Sequence, residues 1–191
     1  MKTVWAWSMI LLAAWSMLAG SATRAADAEL LKNRSFETPG GKVARGVHPL
    51  YWSPYEHPKP AEGAAVGEVR IVRDDDLNAK TALEIIGPRS ISFIQTVRAV
   101  QAGETLTLKF RAKGACPNGG AVSCSLGFLN SQGRYGKQIP FYPKIARAAK
   151  PEWQEFSFQT EVPTGTAQGV NVILGVNLKE GESVRLADVS L

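Results

Sequence analysis

Residues 105–114 read TLTLKFRAKG. Leu106, Leu108 and Phe110 fall on one side of an extended chain, and Thr105, Thr107, Lys109 and Arg111 on the other. A period of two belongs to a strand, because successive side chains point to opposite faces. The pattern continues in both directions. Upstream, SISFIQTV (90–97) places Ile91, Phe93 and Val97 on one face, and QAGE turns the chain into residue 105. ALEIIG (82–87) is short and β-rich. Downstream, CSLGFLN (124–130) carries Leu126 and Phe128, and WQEFSFQTEVP (153–163) sets Phe156 and Phe158 against Ser157 and Gln159. GVNVILGVNL (169–178) sets Val170, Val172, Leu174 and Val176 against Asn171, Ile173 and Asn177, and SVRLADVSL (183–191) closes the chain. Helical periodicity is almost absent. Short alternating strands separated by Gly and Pro turns predict an all-β fold, an antiparallel β-sandwich. One face of each strand fills the core and the other is available to water or a ligand.

Two stretches read as long loops. Residues 41–63 carry Tyr51, Trp52 and Tyr55, and residues 130–152 carry Tyr135, Phe141 and Tyr142. KIARAAK (144–150) suits one helical turn. Long aromatic loops on a rigid sandwich are usually functional or act as packed lids.

The first residues stand apart from this pattern. Lys2 precedes an apolar run over residues 4–18, broken only by Ser8 and Ser16, and small residues follow. This predicts a secretory signal peptide over residues 1–25, cut near Ala25 or Ala26, and a secreted or periplasmic protein. The run is shorter than the ~20 residues a spanning helix needs, so no membrane span is expected after cleavage; a retained anchor is the rival reading. Residues 26–191 then form one domain. The formal charge of the 191-residue chain is +5, and Lys2 and Arg24 leave with the signal. The remaining basic residues are scattered, with no stripe to track a phosphate backbone, so no nucleic-acid partner is expected.

Two cysteines, Cys116 and Cys124, flank a Pro-, Asn- and Gly-rich segment. In an exported chain such a pair is expected to form a disulfide. The segment reads as a hairpin loop with a Gly at positive φ near Gly120. Closing so short a loop stabilises by on the order of 2–3 kcal/mol in the chain-entropy model. A metal or redox pair is the alternative, although two thiols alone make a poor metal site.

Four motifs in order carry a resemblance. They are LLKNRSFE at 30–37, the block from Thr81 to Gly114, WQEFSFQTEVPTG at 153–165, and LADVSL at 186–191. Together they resemble the carbohydrate-binding modules of the cellulose- and xylan-binding jelly-roll group (families four, nine and twenty-two, with a galactose-binding-like fold). The resemblance implies a jelly roll and a polysaccharide or oligosaccharide partner. It also implies a structural calcium ion held by an early Glu and a late Asp, here Glu37 and Asp188. Phe36 would pack inward while Glu37 reached the ion, and Asp75 or Asp76 could add a ligand, since calcium takes six to eight oxygens. The family usually shows two aspartates near the end, and the first is Ala187 here. The resemblance further implies a packing role for Trp153 and a ligand-face role for Arg89.

Sugars need flat aromatic faces for their C–H surface and planar polar side chains for their hydroxyls. Trp52 is the platform this reading favours, with Tyr51 and Tyr55 beside it; the alternative is that Trp52 plugs the core. Gln95, Lys109, Arg111, Gln159, Asn171 and Asn177 are expected on outward faces, as a polar cleft. Lys109 and Arg111 would favour acidic glycans. A lyase could draw on His48, Tyr51, His57 and Arg89, but nothing in their spacing demands it. There is no Gly-x-Ser-x-Gly elbow, His-Glu-x-x-His or phosphate loop. The expected function is non-catalytic carbohydrate binding. The alternatives are an envelope jelly roll with a protein partner, and a hydrolase or lyase on the same sandwich.

Overall fold

The computed structural model describes residues 29–56, 65–98, 100–145 and 152–191. The predicted signal peptide, His57 and most of the KIARAAK segment lie outside these. The described residues form twelve strands: β1 (Pro39–Val43), β2 (Gly46–Pro49), β3 (Ser53–Glu56), β4 (Val69–Arg73), β5 (Thr81–Ile86), β6 (Arg89–Val97), β7 (Thr105–Ala115), β8 (Ala121–Leu129), β9 (Tyr135–Phe141), β10 (Gln154–Glu161), β11 (Gly169–Leu178) and β12 (Ser183–Ser190). A seven-stranded sheet has the order β1-β2-β4-β5-β12-β7-β10, and a five-stranded sheet the order β3-β6-β11-β8-β9. All pairs are antiparallel except β2 with β4, which meet in parallel at Gly46 and Val69. The fold is an all-β sandwich of the jelly-roll kind.

The alternation of β7 is realised. Leu106, Leu108, Phe110 and Ala112 are buried against Leu83, Ile85, Val184 and Leu186 of the same sheet and Phe93, Leu126, Val172 and Leu174 of the other. Each such side chain contributes roughly 1.5–3 kcal/mol of apolar burial. Phe141 of β9 stacks on Phe158 of β10 at 5.4 Å, between the sheets, and Phe110 of β7 stacks on its cross-strand partner Phe156 of β10 at 5.3 Å, within the seven-stranded sheet.

Three sequence expectations change. Residues 41–63 do not form one loop: they contain most of β1 and all of β2 and β3. Residues 130–152 contain β9. These strands are short or lie at an edge, and Gly and Pro within them hide the alternation. The segment between Cys116 and Cys124 is not a hairpin, since β7 and β8 belong to different sheets and do not pair. It is an arch between the layers, and its positive-φ glycine is Gly119 at 87°. The buried carboxylate of Glu182 organises the arch by accepting the backbone N–H groups of Asn118, Gly120 and Lys179. Burial raises the Glu182 carboxyl, and these three N–H groups outweigh it and hold it below the usual carboxylate range. Cys116 and Cys124 are both buried, free thiols. Burial, helped by Glu182, pushes Cys116 up to about 11, and burial pushes Cys124 to about 12.

Candidate functional site

The outer face of the five-stranded sheet can be read row by row from its register. One row runs Thr96, Asn171, Gly127, Gln138. The next runs Ser53, Ile94, Ile173, Ser125, Pro140, and the third Tyr55, Ser92, Gly175, Ser123. A fourth holds Ser90, Asn177 and Ala121. No residue of these rows is charged. The floor is made of small side chains with Ile94 and Ile173 at its centre. Two tyrosines rise at its margins, Tyr55 on β3 and Tyr135 on β9, 57% and 50% exposed. Five strands about 4.8 Å apart give a floor roughly 19 Å across.

Polar groups on this face are tied to one another. Thr96 Oγ1 donates to Asn171 Oδ1 at 2.7 Å, and Asn171 Nδ2 donates to the Tyr135 hydroxyl at 2.9 Å. Gln138 Nε2 donates to Ser125 Oγ at 3.0 Å. Apolar patches for C–H faces and amides and hydroxyls for sugar hydroxyls therefore lie side by side.

The outer face of the seven-stranded sheet is the opposite in character. Arg70, Glu84, Arg185, Asp74 and Lys113 form a chain of ion pairs across β4, β5, β12 and β7 and the turn after β4. Burial pushes Asp74 up, but its bonds to Lys113, Arg185 and the Trp153 indole N–H bring it down to about 2. Lys113 and Arg111 lie over the Trp153 ring, 4.8 and 5.6 Å from its centroid. Trp153 is thus half-buried packing, as the resemblance implied.

Most of the residues expected at a ligand cleft lie elsewhere. Trp52 is fully buried, edge-on to Phe36 at 5.7 Å, and donates to Asn33 O at 3.4 Å. It plugs the core and offers no platform. Arg89 is buried, donating to the carbonyls of Ala44 and Gly67 and paired with Glu56. Gln95 is buried too, its amide clasping the backbone of Lys32 through both N–H and C=O. Both share the inward parity of Ile91 and Phe93, which the alternation itself contained. Arg111, Lys109 and Gln159 stand on the seven-stranded sheet, so the two cations charge the face opposite the tyrosine-flanked one. Tyr51 is exposed on the β2–β3 turn with Lys32 Nζ 5.2 Å from its ring centre. Asn171 and Asn177 of the expected polar set lie within the uncharged rows, as does Tyr55. Tyr135 and Tyr55 were seen only as loop aromatics, because their strands carry no clear period.

Glu37 and Asp188 do line a common hollow of about 790 Å³, together with Arg34, Lys109, Arg111, Trp153 and Glu155. Phe36 and Glu37 are not adjacent residues of a strand. Phe36 sits in a turn at φ 58°, its N–H bonded to Asn33 O at 3.1 Å. Asp188 faces the Arg111 guanidinium at 3.5 Å. Among the described residues no three of His, Cys, Asp and Glu converge as metal ligands. Three cations in the lining balance the carboxylates, so the residues present fit a guanidinium better than a calcium ion.

No protein-family model matches the chain. No curated protein matches it either. Solved structures do match in fold. Tailspike protein 4 of bacteriophage CBA120 aligns at a TM-score of 0.64 and 19% identity over 85% of this chain, which spans 21% of that enzymatically active fragment. A family 61 carbohydrate-binding module in complex with β-1,4-galactotriose aligns at 0.52 and 18% identity, covering 85% of this chain and 97% of the module. The CBM22-1 xylan-binding domain of Paenibacillus barcinonensis Xyn10C aligns at 0.50 and 15%, covering 85% and 92%. Two packed, mainly antiparallel sheets and near-complete coverage of whole modules agree: this chain has the jelly-roll fold seen in these carbohydrate-binding modules.

Proposed function

We propose that the protein binds an uncharged polysaccharide, without cleaving it, on the outer face of the five-stranded sheet. The observation that carries this is the charge-free floor with exposed tyrosines at its margins, on a fold shared with a xylan-binding domain and a module in complex with β-1,4-galactotriose. Charged side chains gather on the other sheet, which favours a neutral glycan over the acidic one that Lys109 and Arg111 suggested. The N-terminal apolar run supports a secreted or periplasmic protein, and in an oxidising compartment Cys116 and Cys124, free thiols in this structure, would be expected to pair.

The test is titration calorimetry with xylohexaose, cellohexaose, β-1,4-galactotriose and polygalacturonate, with products assayed in the same samples. Saturable binding of a neutral probe without product is expected. New reducing or unsaturated ends would favour the hydrolase or lyase. Binding of polygalacturonate alone would move the site to the charged sheet. A folded sample that binds none of the four would favour a protein partner.

A further inference from the structure

Tyr135 opens β9 at the rim of the uncharged floor. An ideal Cβ placed on Gly127 would lie 2.3 Å from Tyr135 Cε1 and 2.8 Å from Cδ1. The ring therefore lies directly over the β8 backbone, in space that any other residue would fill. Half of Tyr135 remains exposed. Its hydroxyl is held by Asn171 Nδ2, and Asn171 is held in turn by Thr96. The turn before it is fixed as well: Asn130 Oδ1 accepts the N–H groups of Gln132 and Arg134, and Asn130 N donates to Arg134 O at 2.9 Å. One edge tyrosine is thus pinned from backbone, hydroxyl and turn.

We propose that Asn171 is a positioning residue, and that the relay Thr96–Asn171 holds Tyr135 as a preset stacking platform for the C–H face of a neutral sugar. The proposal rests on the binding reading above and deepens it. Asn171 gives one acceptor site to Thr96 and one N–H to Tyr135, so its amide plane is tied to the ring. A ring already held in place loses no rotamer freedom when a sugar lands on it. Gly127 is required at its position for the same reason: a methyl group there lifts the ring off the sheet.

The experiment uses the whole mature chain and whichever of xylohexaose, cellohexaose or β-1,4-galactotriose the wild type binds. Tyr135→Ala is expected to weaken binding by about tenfold or more, as loss of a stacking partner. Asn171→Ala and Thr96→Val are expected to cost about 3- to 10-fold, the freedom restored to one side chain. The Thr96→Val/Asn171→Ala double variant should be no weaker than Asn171→Ala, and Asn171→Ala should add nothing to Tyr135→Ala. Additive losses in either pair would show direct ligand contacts and overturn the relay. Unchanged affinity in Tyr135→Ala, with the wild type binding, would overturn the platform and leave the binding reading intact. A ligand-free readout stands beside these. The Gly127 Hα resonances should be shifted by the Tyr135 ring current in the wild type and should lose that shift in Asn171→Ala, at unchanged melting temperature. Absence of the shift in the wild type would sink the preset geometry. Wild type that binds no probe would end the binding reading and the platform with it.

Discussion

Asn33 shows how one residue gives a short motif its physical meaning. In N-x-x-F-E its side-chain oxygen accepts Thr38 N–H, its amide nitrogen donates to the carbonyls of Thr38 and Leu50, and its own carbonyl takes Phe36 N–H and the Trp52 indole. The turn drives Phe36 into the core and leaves Glu37 at the hollow. Asp188 occupies φ 51° beside a register shift in β12, and Val189 N–H bonds Arg34 O at 3.1 Å. N- and C-terminal segments are therefore joined where the resemblance implies an ion. Ala187, where the family carries a second aspartate, pairs across strands with Arg111. A guanidinium then neutralises the carboxylate that remains. The expected outcome is a melting temperature indifferent to EDTA or millimolar calcium, and a loss of about 1 kcal/mol or less in Arg111→Ala, since this pair is partly exposed. A calcium-dependent rise in the midpoint would return the site to the ion by mass action.

At the scale of elements, the seven-stranded sheet is cross-tied by ions on its outer face. Asp74 follows β4 and joins Lys113 of β7 to Arg185 of β12, and its side chain is only 4% exposed. Its folded carboxyl titrates near 2 against an ordinary 3.8. A depressed carboxyl stabilises the fold above its unfolded value, and that contribution is lost as pH falls from about 4 toward 2. The magnitude is roughly 2 kcal/mol. Urea unfolding at pH 7, 4 and 2 should show this decline in the wild type, and Asp74→Asn should be weaker at pH 7 with a flatter acid limb. A variant with the wild-type slope would assign the acid response to other groups, Glu84 first. Strands with clean alternation were legible in the sequence: β5, β6, β7, β8, β10, β11 and β12 all lie where their patterns put them. The short strands β1, β2, β3 and β4 and the edge strand β9 were not, because pairing with a neighbour, rather than their own pattern, makes them strands. Both tyrosines of the candidate site stand on β3 and β9.

For the whole molecule, the sandwich separates two surfaces: a charged sheet held by ion pairs and an uncharged one open to a ligand. The arch between β7 and β8 joins the layers, with a cysteine at its start and another within β8. Thiols held at about 11 and 12 stay protonated at neutral pH and are inert in the fold. The cysteine pair gives a direct test of export. Reduced protein made in the cytosol should react with a thiol reagent only when denatured, at two groups. Protein recovered after export and denatured without reductant should show none. Two reactive thiols from the exported protein would remove the disulfide.

The amino-acid sequence by itself determined the fold class and the inward face of the apolar positions in seven strands, because period-two alternation and apolar burial are local properties read along the chain. It also contained the inward parity of Arg89 and Gln95, since both stand in step with Ile91 and Phe93. Only the tertiary structure decided which outward faces share a sheet. Lys109, Arg111 and Gln159 look equivalent to Asn171 along the chain, yet strand order sends them to opposite sides of the molecule. Strand order arises from pairing between residues far apart in sequence, as Asn171 with Thr96 and Gly127 shows. No local pattern records such a pairing, and the proposed binding face exists only through it.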